Sequence, residues 1–254
     1  MQLCFFTLFA ILENAKERYK TMIRKTKFFT LLELLVVIAI ISLLASIMLP
    51  ALKKAKDKVT TAQCSNNLRQ LGIAMQSYLG DSDGYYVPYR IGSESTGYNW
   101  AHAMASNNYV TNNRIYFCPL APYYFSTYSN PNYKDSCLKK PTAMWAYSWI
   151  NYGYNAAFVG GNLAGWAGPA SDLPSQRVSK LRTPSRTILM ADAFESNNPN
   201  LSYFIISSNA STSPACSIHD RHSSGANLSW CDGHVSYQKS AILIQDGSHK
   251  YFSF

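Results

Sequence analysis

The chain has 254 residues, 47% of them hydrophobic and 15% charged, with a formal net charge of +9. Residues 1–28 hold six Lys/Arg against two acids, and residues 51–90 hold six against three. The basic excess therefore sits mostly beside one apolar segment, which argues for membrane topology and against a nucleic-acid partner.

Residues 1–21, MQLCFFTLFAILENAKERYKT, carry an apolar patch of about ten residues, too short to span a bilayer. They lack the basic start and small-residue cleavage site of a secretory signal. Met22 opens a short basic leader, MIRKTKF. Residues 1–28 are read as a leader, with 1–21 a mis-assigned start, and neither enters the fold.

Residues 29–49, FTLLELLVVIAIISLLASIML, hold Glu33 as their only charge. As a helix the stretch is about 31 Å long, one bilayer core. Arg24, Lys25 and Lys27 stand just before it, and basic residues beside a span hold that end in the cytoplasm. A carboxylate inside a span costs a few kcal/mol, so Glu33 is a candidate functional residue.

Residues 50–80 are predicted to continue the helix as an amphipathic stem. Leu52, Ala55, Val59, Ala62, Leu68, Leu71, Met75 and Tyr78 fall at three- or four-residue steps. Leu52, Val59, Leu71 and Met75 are expected to be less exposed than Lys54, Lys58 and Asn67. Pro50 removes one helical hydrogen bond and marks a bend between span and stem. The run Lys53, Lys54, Lys56 and Lys58 reads as a solvated face, with lipid headgroups or a neighbouring subunit's acids as the alternative contact. Asp81, Ser82, Asp83 and Gly84 stop the helix as turn residues; a calcium site at Asp81 and Asp83 is the competing reading, without the bidentate acid of a complete loop.

Residues 81–254 form the predicted globular head. Its middle is rich in Tyr, Trp, Asn, Ser and Gly, as in Asn151-Tyr152-Gly153-Tyr154-Asn155 and Gly160-Gly161-Asn162. These aromatics suit strands and core packing, and an exposed set beside amides suits a glycan. Thr187 to Ala191 reads as a strand, with Asp192 capping a turn at its end. Ala226, Leu228 and Trp230 alternate with Asn227 and Ser229 as a half-buried strand, Asp232-Gly233 predicts a two-residue type I′ turn, and Val235 and Tyr237 return. This hairpin, 222–237, places His222 at the far end of its first strand, about 33 Å of extended chain from Asp232. His222 is read as structural. His219, Asp220, Asp232 and His234 are its neighbours in a weaker metal reading, without a spaced ligand pair.

Of the six cysteines, Cys4 lies in the leader, leaving Cys64, Cys118, Cys137, Cys216 and Cys231. No C-x-x-C occurs, which excludes zinc-ribbon and thioredoxin-type motifs. Two open readings are bridges Cys118–Cys137 and Cys216–Cys231, or buried free thiols. No nucleophile triad order, carboxylate pair, phosphate loop or nucleotide fingerprint is present. The chain is expected not to be an enzyme, with no catalytic residue, metal ligand or cofactor.

Phe29-Thr30-Leu31-Leu32-Glu33-Leu34 resembles the processing site of type IV prepilins and type II secretion pseudopilins. The resemblance implies that a prepilin peptidase cuts before Phe29, whose new amine is methylated. Glu33 is then the fifth residue, and Pro50 stands where the family often has a proline. The family usually has Gly before the cut, where this chain has Phe28. Cys64-Ser65-Asn66-Asn67-Leu68-Arg69-Gln70-Leu71-Gly72, and His222 followed after nine residues by Asp232-Gly233, are similar to large-headed members with a C-terminal H-x9-DG motif. Together these motifs cover about residues 22–90 and 182–237.

The resemblance implies an α+β, pilin-like fold: a long N-terminal helix packed on an antiparallel sheet with an enlarged, loop-rich head. It implies a pseudopilus or pilus-like filament subunit in the inner membrane, with its head exported. Its expected partners are the peptidase, other pilin or pseudopilin subunits and the membrane, with Glu33 and Pro50 in assembly. The competing reading is a membrane-anchored exported binding protein that never polymerises, with an unknown head ligand.

Overall fold

The computed structural model describes residues 29–91, 98–121, 147, 150–156, 158–161, 175–194, 205–206 and 217–239. The leader with Phe28, the cysteines Cys4, Cys137 and Cys216, and most of the central aromatic region lie outside the described residues.

Helix α1 spans Leu31–Asp81, with Pro50 inside it. The chain divides into two compact units at Lys54 and Ala55. In the first unit α1 is exposed on all faces: Leu31, Leu43 and Leu49 are 87%, 64% and 65% exposed. This is one helix long and apolar enough to cross a membrane.

In the second unit α1 packs on the head through Thr60, Cys64, Leu68, Leu71, Gly72, Ala74, Met75 and Leu79. The predicted stripe is corrected here. Leu52 and Val59 are 66% and 57% exposed, and Ala55 and Ala62 are exposed too. Asn67 is half-buried instead, donating to the Phe117 carbonyl at 3.2 Å and the Tyr152 hydroxyl at 3.3 Å. Periodicity finds an amphipathic face, but the burial of that face begins only where the sheet lies against it. After Asp81 the chain turns with Asp83 and Gly84 in the left-handed region, and the Gly84 N–H donates to the Leu79 carbonyl. The Asp81 carboxylate accepts from the Tyr109 hydroxyl.

The head begins with β1 (Arg90–Ile91), β2 (Tyr98–Asn99) and α2 (Trp100–Ser106), whose first turn is capped by the Asn99 side chain on the His102 N–H. A six-stranded sheet follows, built from β3 (Tyr152–Asn155), β4 (Ile188–Phe194), β5 (Ile205–Ile206), β6 (Ser217–Ile218), β7 (Gly225–Trp230) and β8 (Val235–Lys239). Its order is β5-β3-β4-β7-β8, with β6 also on β4. All pairs are antiparallel except β3–β5, which is parallel, so the sheet is mixed. The architecture is α+β, a long N-terminal helix against a mixed sheet.

Two expectations about strands change. Strand β7 is buried at every residue rather than half-buried. Ala226, Leu228 and Trp230 fill a core with Ile188 and Ala193, while Ser229 faces α1, where a β-carbon on Gly72 would stand 3.4 Å from its hydroxyl. Its polar alternation therefore faces a helix, not water. The Asp232-Gly233 turn is not type I′, because only Gly233 has positive φ. The Gly233 N–H donates to the Trp230 carbonyl and the Trp230 N–H to the His234 carbonyl, which gives a three-residue loop closed by a left-handed glycine.

The main core is aromatic. Trp100 lies 5.8 Å from Tyr116 and 5.5 Å from Tyr154 between ring centres. Tyr152 and Tyr154 are fully buried, so this part of the aromatic run packs the core rather than offering a glycan surface. The Tyr154 and Tyr116 hydroxyls donate to the Val87 and Ala101 carbonyls.

Candidate functional site

At the start of α1, Glu33 has local partners. The Thr30 N–H and hydroxyl donate to Glu33 Oε2 at 2.9 and 3.0 Å, and the Glu33 N–H donates to Thr30 Oγ1 at 3.2 Å. This is a reciprocal capping box, T-x-x-E, which satisfies donors that a helix start leaves open. The spacing is legible in the sequence, and Thr30 is the residue that sequence reasoning passed over. Phe29 is 69% exposed, and Pro50 is exposed within the helix.

A second site forms inside the head. The expectation that the chain is not an enzyme is corrected by it. Cys64, Cys118 and His222 are buried, and their ligand atoms lie within 4.8 Å of one another. Such a set has the geometry of a metal or thiol-chemistry site. Each residue comes from a different element. Cys64 lies on the packed face of α1, one turn from Thr60 and Leu68. Cys118 follows the 3-10 turn Asn113–Tyr116, and its N–H donates to the Asn151 side chain at 2.9 Å. His222 opens the turn before β7.

That turn is tightly built. Ser223 and Ser224 both have positive φ, 50° and 61°, unusual for residues with a β-carbon. The His222 N–H donates to the Gly225 carbonyl, and the Tyr237 hydroxyl donates to the His222 and Ser223 carbonyls at 2.9 and 3.1 Å. Gly225 permits this closure, since a β-carbon there would stand 2.5 Å from the Gln238 carbonyl. The H-x9-DG segment thus fixes the backbone that aims His222 inward. Its two ends stay apart chemically: Asp232 Oδ1 meets His234 Nδ1 at 2.6 Å on the exposed side, while His222 is 0% exposed. His219 stacks edge-on against Phe194 and lies 3.8 Å from Asp220.

Asp192 completes the site and corrects the reading of it as a turn cap. Strand β4 continues to Phe194, and Asp192 is 0% exposed within it. A register shift between Ile188 and Met190 against β7 inserts an extra residue just before it. Asp192 Oδ2 accepts the Asn227 N–H at 3.0 Å and lies 3.2 Å from His222 Nε2. Arg221 Nε lies 3.9 Å from Asp192 Oδ1, and Arg221 Nη2 donates to the Ala193 carbonyl. The visible signal was a lone acid inside the apolar run Ile188-Leu189-Met190-Ala191-Asp192-Ala193-Phe194.

Both Cys118 Sγ, at 3.5 Å, and Asp192 Oδ2 meet the same His222 nitrogen, Nε2, while Nδ1 meets Thr61 Oγ1 at 3.3 Å. Burial pushes the His222 pKa down, but the bonds to Asp192 and Cys118 outweigh it and raise it to about 9. A hydrogen bond from Cys64 holds the Cys118 thiol below the usual thiol range, helped by His222, and Cys64 is correspondingly raised. Cys118 is thus the thiol that ionises first. Cys64, Cys118 and Cys231 are free and buried, while Cys137 and Cys216, the expected bridge partners of Cys118 and Cys231, lie outside the described residues. Burial pushes Cys231 up to about 12.

No protein-family model, curated protein or solved structure matches this chain.

Proposed function

We propose that the protein is a prepilin-like subunit of a type II secretion pseudopilus or a type IV pilus-like surface filament, with a pilin-like fold. The observation that carries this reading is α1. Its first part is apolar on all faces with one acid near its start, and its second part lies under a sheet-based head. One helix that anchors at one end and forms the head's spine at the other suits a subunit built to pack helix beside helix in a membrane and in a filament. On this reading it spans the inner membrane once, with its leader cytoplasmic and its head exported. A prepilin peptidase cuts before Phe29, and other pilin or pseudopilin subunits are the partners.

The test is the mature N-terminus. Mass spectrometry of protein from membranes of the native host, or of cells with a prepilin peptidase, is expected to find chains starting at methylated Phe29. Chains that all retain Lys27 and Phe28 would reject processing. Processed chains that never crosslink to one another or to other pilins would favour the anchored, non-polymerising binding protein.

A further inference from the structure

We propose that Cys64, Cys118 and His222 bind one structural zinc ion, with Asp192 as the neighbouring fourth donor, and that the ion ties the stem part of α1 to the head. The donor set is two sulfurs, one imidazole nitrogen and one carboxylate oxygen, a set that suits tetrahedral zinc. With bonds of about 2.3 Å to sulfur and about 2.0–2.1 Å to nitrogen and oxygen, tetrahedral ligand atoms lie about 3.3–3.8 Å apart. Cys118 Sγ to His222 Nε2 is 3.5 Å, and His222 Nε2 to Asp192 Oδ2 is 3.2 Å. Cys64 Sγ lies within 4.8 Å of both Cys118 Sγ and the His222 ring nitrogen, whereas Asp192 stands outside that set and meets it through His222, so its carboxylate must turn toward the sulfurs to ligate.

The arrangement around the ligands fits the same role. A catalytic relay places the nucleophile and the carboxylate on opposite nitrogens of the histidine. Here both face Nε2. The other nitrogen faces Thr61 Oγ1, whose own hydroxyl donates to the Asp57 carbonyl at 2.8 Å. Thr61 Oγ1 can therefore accept a hydrogen bond from Nδ1–H and leave Nε2 free to ligate, which is how outer partners fix the tautomer of a metal-bound histidine.

Charge balances as well. Two thiolates and a carboxylate exceed zinc's two positive charges by one, and Arg221 supplies the missing cation. Its side chain is 3% exposed beside Asp192. Asp192 Oδ1 and Arg221 Nε and Nη1 are buried with no hydrogen-bond partner among the described residues, a local electrostatic arrangement centred on the carboxylate. On binding, the ligand thiol protons and any proton on His222 Nε2 pass to solvent. A Cys64–Cys118 disulfide would use the two sulfurs but give His222 no reason to converge on them. With Cys64, Cys118, His222 and Asp192 all 0% exposed, the site is closed, as structural zinc sites are.

The test uses the full chain solubilised in detergent, so it does not depend on processing or assembly. Elemental analysis is expected to find about one zinc per chain. Cobalt(II) exchanged into the wild type should show sulfur-to-cobalt charge transfer and the intense ligand-field bands of tetrahedral cobalt. Cys64→Ser, Cys118→Ser, His222→Gln and Asp192→Asn should each weaken metal binding by at least about 10–100-fold, while Cys231→Ser and His234→Ala leave it intact. Should the ligand variants fail to fold, the wild-type cobalt spectrum and a fall in Tm on chelation still decide the matter. Metal-free wild type without a cobalt–sulfur band would overturn the proposal, as would a Cys64–Cys118 disulfide-linked peptide from non-reduced protein.

Discussion

Between Leu31 and Leu49, α1 presents apolar side chains on every face, interrupted only by Glu33 and two serines. Those serines return their hydroxyls to the Ile38 and Leu43 carbonyls, so they offer no free donor to a lipid surround. Between Thr60 and Leu79 the same helix buries one face under the head and leaves Ile73 and Gln76 outside. Both stretches are helical, but different surroundings satisfy their side chains. The first is suited to a bilayer and the second to a sheet and an aromatic core. Helicity therefore says little about what holds each part, and perturbations should separate them.

The largest separation should come from alkali. Burial raises the phenol pKa of Tyr86, Tyr116 and Tyr154 above its usual value. Their neutral forms are favoured in the folded head. The stability they lend is fully present below the unfolded value of about 10 and is lost as pH rises past it. Raising the pH from about 9 to about 12 should unfold the head, with tyrosinate absorbance and loss of near-ultraviolet circular dichroism rising together. The apolar part of α1, which holds no tyrosine between Phe29 and Leu49, should stay helical in detergent. Tyrosinate appearing with no loss of near-ultraviolet signal would show that these hydroxyls are not buried as described.

A smaller effect should come from single truncations. Leu71 is fully buried, so Leu71→Ala should destabilise the head by about 2–5 kcal/mol in urea unfolding. Leu52 is on the same helix but 66% exposed, so Leu52→Ala should change it by no more than about 0.5 kcal/mol. Equal losses at both positions would mean that the packed face of α1 begins earlier than Thr60.

The same contrast explains what the sequence shows and what it hides. Uniform apolarity over 29–49 and the alternation of β7 and β8 depend on neighbours a few residues apart, so both can be read locally. The start of the packed face cannot, because Leu52 and Leu68 carry the same periodic signal and only the position of the sheet tells them apart. The buried site is hidden for the same reason. Cys118 and His222 are 104 residues apart, and no local spacing connects them. Cys64 and His222 are each visible as motif residues, Cys118 as one of the cysteines and Asp192 as an odd acid, but their meeting depends on β4 running on to Phe194 and on the turn at Ser223 and Ser224. The mixed sheet, with β5 parallel to β3, has no sequence signal of its own at two residues' length.

Glu33 should show the smallest effect on the head and the most specific effect on assembly. On the proposed reading, Glu33 would meet the first-residue amine of a neighbouring subunit, since cleavage before Phe29 would place such a cation at a similar depth. A carboxylate in lipid needs that partner, and pairing would neutralise both charges and set the stagger between helices. The Thr30–Glu33 capping box is a rival role that needs no neighbour. Two substitutions separate them. Glu33→Leu removes both charge and cap, at about 0.5–2 kcal/mol of local helix stability. Glu33→Gln removes the charge but keeps an oxygen for the Thr30 N–H, since the box accepts Gln in place of Glu. Both variants should reach the membrane with normally folded heads, because the described hydrogen bonds of the Glu33 side chain are all to Thr30. If the charge serves assembly, both should give fewer crosslinked oligomers than wild type, and to a similar extent. If Glu33→Gln crosslinks like wild type while Glu33→Leu does not, Glu33 is a cap and the subunit-pairing role is lost.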